Sequence, residues 1–237
     1  MARQSTGPGK VRNTLGALAA MAFVAGPLLG YLRVVPALLG FGLFALGGIL
    51  ALLVALASVV QALRGRGFGG GAVAASLAAL VFVAAAARSG GGPRINDFTT
   101  NPADPPVFVV LATVGPNPNR DMSYPPDFAA VQASCCADLA PARVPADPAT
   151  TFERARRAAE SMERWEVVDA SASDGRIEAV ATTPLFGFRD DIVIRVRPGP
   201  DGGSIVDMRS KSRDGQGDIG ANAARIRAYL TALQSTS

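Results

Sequence analysis

The chain has 237 residues, 23 of them Lys or Arg and 19 Asp or Glu, with a formal charge of +4 that divides unevenly: residues 1–94 carry +8 and no acidic residue, and residues 95–237 carry −4. That split describes a membrane-embedded half followed by a mildly acidic one, and it excludes the uniformly basic surface of a nucleic-acid-binding protein. Histidine is absent, which excludes imidazole metal sites and Ser-His or Cys-His relays.

Residues 1–13 form a polar, basic tail with Arg3, Lys10 and Arg12. Thr14 to Leu32 follows without a charge and is long enough to cross the ~30 Å hydrocarbon layer at about 1.5 Å per residue. Gly26-Pro27 inside it is a tolerable kink in a membrane helix. A secretory leader is the competing reading, but two further apolar stretches follow at once and favour an anchor. Val34 to Leu63 is the second uncharged stretch, longer than a span needs and so either tilted or starting after Pro36, and Arg64 and Arg66 close it. The third, Gly67 to Ala87, is rich in glycine and alanine with an apolar centre from Leu77 to Val83. If it failed to insert, the following domain would stay cytoplasmic.

Three spans over residues 14–87 put the termini on opposite sides. Arg3, Lys10, Arg12, Arg64 and Arg66 fall on one side, and Arg33, Arg88 and Arg94 on the other. The bias predicts a cytoplasmic N-terminus and a C-terminal domain on the exported, periplasmic side of the inner (plasma) membrane. Gly26 with Gly30 and Gly67 with Gly71 have the spacing that lets helices approach closely, so the spans should pack as one bundle. No acid, lysine or histidine interrupts them, which points to an anchor and away from an ion or proton path.

A glycine-rich linker, residues 88–94, leads into an extramembrane domain over 95–237. Its first part, Ile95 to Pro106, is dense in Asn, Asp, Thr and Pro and reads as a rigid, turn-rich segment. Val107 to Ala112 is a strand or lies flat against the domain. Gly115 to Pro145 is a proline-punctuated cover with a short helix around Phe128 to Leu139. Within it Cys135 and Cys136 are adjacent, make no disulfide framework and lack a Cys-x-x-Cys pattern. Thr150 and Glu153 form a capping box opening a helix whose buried stripe is Phe152, Ala155, Ala159 and Met162.

A meander follows. Trp165 to Asp169 is a strand, and Asp174-Gly175 is a hairpin turn. In the next strand Ile177, Ala179 and Ala181 face one way and Glu178 and Val180 the other. From Asp191 to Arg197, Ile192, Ile194 and Val196 alternate with Val193, Arg195 and Arg197. In the last strand Val206 and Met208 oppose Asp207, Arg209 and Lys211. Asp218 is placed to cap a final helix in which Ile219, Ile226, Leu230 and Leu233 face the sheet, with Asn222, Arg225 and Tyr229 nearby. The result is an α+β domain of about four antiparallel strands with helices on one face, behind three transmembrane helices.

Ile95-Asn96-Asp97, Asp104-Pro105-Pro106, Tyr124-Pro125, Trp165-Glu166, Ile177-Glu178-Ala179 and Phe188 through Asp190-Asp191 resemble a bacterial and plastid family known as domain of unknown function 1499 (DUF1499). Val206-Asp207, Arg209-Ser210, Ser212-Arg213, Asp218, Gly220, Asn222 and Arg225-Ile226 extend the resemblance over about 95–233. The family supplies no reaction to carry across.

The candidate polar cluster is Asp190, Asp191, Arg195, Asp207, Arg209, Lys211, Arg213, Asp218, Asn222 and Arg225. If the sheet face is open, its guanidinium groups suit carboxylate, phosphate or lipid headgroups, and the domain is a binding or assembly module at the cell envelope, with a lipid or an envelope protein as partner. If Arg209 and Arg213 pair with Asp190, Asp191 and Asp218, the same residues are structural. The alternative is an envelope hydrolase using the Asp190/Asp191/Asp218 region with an arginine clamp. Neighbours on a strand point to opposite faces, so Asp190 and Asp191 should not converge. No cofactor motif is legible, since Gly215-x-Gly217 lacks the Gly-Lys-Ser/Thr of a phosphate loop.

Overall fold

A computed structural model describes residues 7–65, 67–89, 93–215, 217 and 220–236. The chain divides into two compact units, one of residues 1–90 with 184–187 and the other of residues 91–183 with 188–237.

The first unit holds three long helices, α1 (Pro8–Tyr31), α2 (Ala37–Leu63) and α3 (Gly70–Ser89). Each is long and apolar enough to cross a bilayer. Helix α1 begins ahead of the uncharged stretch, so Lys10 and Arg12 sit in its first turns, and Arg12 donates to Gln61 of α2 at 2.6 Å. The three helices share a core of Ala19, Phe23, Ala51, Val54, Ala75, Ala78 and Ala79. Small residues set the spacing: a Cβ on Gly26 would run into the Gly40 carbonyl, and one on Gly40 would come within 2.8 Å of the Gly26 carbonyl. Such contact between backbones is what holds helices together where lipid removes the hydrophobic drive. The Phe186 ring stands across those of Phe41 and Phe44, each at 5.5 Å. The large aliphatic side chains point outward, among them Leu46, Leu53, Leu56 and Leu80.

The second unit is a mixed α/β domain around an antiparallel sheet. Its strands are β1 (Asp97–Thr99), β2 (Ala142–Val144), β3 (Trp165–Ser171), β4 (Arg176–Thr182), β5 (Arg189–Pro198) and β6 (Ser204–Ser212). Their order is β1-β6-β5-β4-β3, with β2 pairing beside β1 on the outer edge of β6. Strands β3 to β6 are the four-strand meander read from the alternation. The two three-residue edge strands come from segments too short and too rich in proline to show a period of two. Gly175 closes the β3–β4 hairpin at φ 59°, where its hydrogen packs against the Val196 carbonyl and no side chain would fit.

Helices α4 (Phe128–Cys135), α5 (Pro148–Ser161) and α6 (Ala221–Ser235) complete the domain. Phe152, Ala155 and Ala159 of α5, and Ile226, Tyr229 and Leu233 of α6, pack onto Ile177, Ala179, Ile192, Ile194, Val206 and Met208. Tyr229 stacks on Trp165 at 5.7 Å and donates its hydroxyl to the Ala155 carbonyl at 3.1 Å.

One local expectation is corrected and one open alternative is decided. The cap of α5 is Asp147, whose carboxylate accepts from the Ala149 and Thr150 amides at 3.0 Å each. Pro148, preset for the first helical position, starts the helix before Thr150. Of the two readings of Val107 to Ala112, the structure shows the second: Leu111–Thr113 is a 3-10 turn, and the residues before it lie against the sheet. The expected cap Asp218 and the expected core residue Ile219 lie outside the described residues; Gly220 precedes α6 at φ 84°.

Candidate functional site

The register of β4, β5 and β6 sends alternate side chains to opposite faces, and each face receives its own polar cluster. On the face away from α5 and α6 stand Glu178, Asp191, Arg195, Arg197, Asp207, Arg209 and Lys211. The sequence left that face open. The structure covers it with the segment running from Asn101 to Tyr124.

Glu178 is the anchor of the cover. Its carboxylate accepts the Val109 and Val110 amides at 2.7 and 3.2 Å on one oxygen and the Leu111 amide at 2.7 Å on the other. Arg176 stands 3.1 Å from it. Three successive N–H groups turned on one carboxylate are incompatible with a strand, which is why the segment lies flat against the domain. Phe108 and Leu111 then seal against Val180 and Val193.

Beneath that cover the acids and bases are matched. Asp97 receives Arg209 as a fork, Nε at 2.9 Å and Nη2 at 2.7 Å, and Lys211 Nζ at 3.0 Å. Arg209 is 1% exposed. Its remaining donors reach the carbonyls of Pro106 and Met122, and its plane lies 4.9 Å from the Phe108 ring and 5.6 Å from that of Tyr124. Asp207 accepts from Arg195 at 2.8 Å and Arg197 at 2.9 Å, and Arg195 also reaches Asp104 at 2.9 Å. Asp191 accepts from Arg213 at 2.7 Å, Asn117 at 2.9 Å and Arg120 at 3.3 Å. Asp97, Glu178, Asp191 and Asp207 are all fully buried. A buried carboxylate is tolerable only when charge and lone pairs are both satisfied, and here both are.

On the opposite face, under α6, Asp190 faces Ser212 across β5 and β6. Arg225 Nη2 reaches Asp190 at 2.6 Å, while Nη1 reaches Ser210 Oγ at 3.0 Å and Asn222 Oδ1 at 2.6 Å. Ser210 donates to Asn222 Oδ1 at 2.6 Å, and Asn222 Nδ2 donates to Ser212 Oγ at 2.8 Å. Ser212 in turn bonds Asp190. Burial holds the Asp190 carboxyl above the usual carboxylate range, against the pull of Arg225 and Ser212. Here a carboxylate, a hydroxyl and two fixed N–H donors meet, the components of a proton transfer with donors to an anion.

The structure thus divides the ten candidate residues. Asp191, Arg195, Asp207, Arg209, Lys211 and Arg213 lie under the cover. Asp190, Asn222 and Arg225 lie beneath α6. Asp218 is outside the described residues. Asp190 and Asp191 diverge, as alternation requires. Arg213 pairs with Asp191, while Arg209 takes Asp97, a partner the sequence did not assign to it. Asp97, Glu178, Asn117, Arg120, Ser210 and Ser212 were missed as members. Asp97, Glu178, Ser210 and Ser212 stood in the motifs of the resemblance, Glu178 also as a charge on the strand face opposite Ile177, Ala179 and Ala181, whereas Asn117 and Arg120 left no signal. Among the described residues no three Cys, Asp or Glu side chains gather as a metal site.

Compared with family models, residues 97–233 match a family described as Protein of unknown function (DUF1499). No curated protein matches the chain. The matched stretch opens on Asp97 and encloses both polar clusters.

Proposed function

The chain belongs to the DUF1499 family, with its domain carried behind three apolar helices, and from that premise we propose that it is a membrane-anchored envelope hydrolase centred on Asp190. The observation that carries this reading is the joining of Asp190, Ser212, Asn222, Ser210 and Arg225 in one hydrogen-bonded cluster around a carboxyl whose proton affinity is raised. In it Asp190 takes the Ser212 proton as the hydroxyl oxygen attacks an ester or phosphoester, and Arg225 with the Asn222 amide receives the developing negative charge. The bond to the leaving alcohol breaks as Asp190 hands it the proton, and a water deprotonated by Asp190 then cleaves the Ser212 ester, releasing the acid and restoring the hydroxyl. Arg225 is the arginine clamp. Asp191 faces the other way and takes no part.

The test is turnover of chromogenic carboxylic esters and phosphoesters by the full chain in mild detergent. Asp190→Asn and Ser212→Ala should each lower turnover at least about 100-fold with the melting transition retained. A wild type inert toward both substrate classes, or variants as active as wild type, would sink the proposal.

A second reading, a binding or assembly module taking a lipid or an envelope protein, is favoured by the exposed Val107 and Val109 on the cover segment. It predicts a lipid or protein that co-purifies with wild type and is lost from Val107→Ser/Val109→Ser. In both readings we place the N-terminus in the cytoplasm and the domain outside the inner membrane, on the excess of Lys and Arg at the N-terminal side of the spans.

A further inference from the structure

Cys135 ends α4, and Cys136 is its cap, with φ −146° and ψ 42° and its amide on the Gln132 carbonyl at 2.8 Å. Successive side chains on a regular helix diverge. The departure of Cys136 from helical backbone swings its sulfur back, and the two Sγ atoms lie 2.7 Å apart. Cys135 is exposed and Cys136 buried. The Arg227 guanidinium, paired to Asp138 at 2.7 Å, stands beside Cys136. No other cysteine is in the chain.

We propose that Cys135 and Cys136 form a redox-active vicinal dithiol that closes reversibly to a disulfide by exchange with a small external disulfide. The Cys135 thiolate attacks one sulfur of that disulfide, breaks its S–S bond and releases the first thiolate. The Cys136 thiolate then attacks Cys135 Sγ in the mixed disulfide, forms the vicinal bond and expels the second. The two protons leave with the released thiols. The dithiol is oxidised by two electrons, and the external disulfide is reduced by two.

Two physical consequences follow from the site. Partial desolvation of its sulfur and the bond to Cys136 push the Cys135 thiol up to about 11, so the first step is slow at neutral pH and accelerates as pH rises. Neighbouring Cα atoms are about 3.8 Å apart across a trans peptide, short of the roughly 4.4–6.8 Å of relaxed disulfides. The closed form is therefore strained and easily reduced, as a reversible site requires. That strain falls on the last turn of α4. From there Gln132 accepts the Thr99 amide at 3.0 Å and donates to the Thr99 carbonyl at 2.6 Å, so closure loosens β1.

The full chain in mild detergent is treated with oxidised glutathione across a pH series and measured by intact mass and iodoacetamide alkylation. The expected product is two hydrogens lighter, carries no glutathione, resists alkylation at both cysteines and is restored by dithiothreitol. With only two cysteines present, that mass places the bond. Cys136→Ser should stop at a glutathione adduct on Cys135. A stable adduct on wild type with Cys136 still alkylated, a disulfide-linked dimer, or two thiols that remain alkylatable would each overturn the proposal. Amide exchange at Thr99 should rise in the closed form; unchanged exchange would overturn the link to β1.

Discussion

Asp97 is shared by Arg209 and Lys211, and Asp207 by Arg195 and Arg197, so removing one side chain strands more than one charge. Arg209→Ala leaves Asp97 with Lys211 alone and opens three buried acceptors. It should cost about 3–5 kcal/mol by denaturant unfolding, the usual penalty for breaking a buried pair. Arg209→Lys keeps the charge but cannot reproduce the fork and should recover only part of the loss. Asp190 gives a pH signature of opposite sign to most acids. Its folded-state proton affinity is raised by burial, so the folded protein holds more protons than the unfolded chain between the ordinary carboxyl value of 3.8 and the raised one. Its contribution to stability therefore falls as pH rises through that window. Melting wild type and Asp190→Asn across the acid range should show this slope in wild type and its loss in the variant. The strand alternation made the facing of these residues legible, since Asp190 and Asp191 diverge as written. It could not assign partners: Arg209 and Asp97 are 112 residues apart, and nothing local to either marks the other.

At the scale of elements, the period-two pattern carried β3 to β6 and the helical stripe carried α5, because both bury one face against a common core. The cover from Asn101 to Tyr124 has no period. Its backbone amides are satisfied by the Glu178 carboxylate and not by a ladder, and a side chain from a distant strand leaves no trace in the covered segment's own sequence. Glu178→Gln keeps the size but loses the charge and turns a donor toward an amide. The expected cost is about 1–3 kcal/mol, with faster amide exchange confined to residues 109–111. Exchange that rises evenly through the domain would instead make Glu178 a general core residue. The cap of α5 shows a similar competition between neighbours. Thr150 and Glu153 fit a capping pattern, but Asp147 followed by Pro148 begins the helix sooner.

For the whole molecule, the division into an apolar basic half and a mixed acidic half was readable from charge alone, because lipid tolerates few charges and a soluble surface requires them. Cys135 offers a native probe of sidedness. A membrane-impermeant maleimide should label the chain in intact spheroplasts if the domain is extracytoplasmic, and only after lysis if it is not. Labelling only after lysis would reverse the proposed orientation. The matched charges beneath the cover also constrain how such a sequence can change over generations. Total stability of a domain is about 5–15 kcal/mol, and one unmatched charge consumes about 3–5 of it. Drift at Asp97 must therefore wait for compensating change at Arg209 and Lys211, and Asp191 is bound in the same way to Arg213. Such residues are expected to change as groups, and a sequence alignment in which Asp97 varies while Arg209 and Lys211 do not would contradict this.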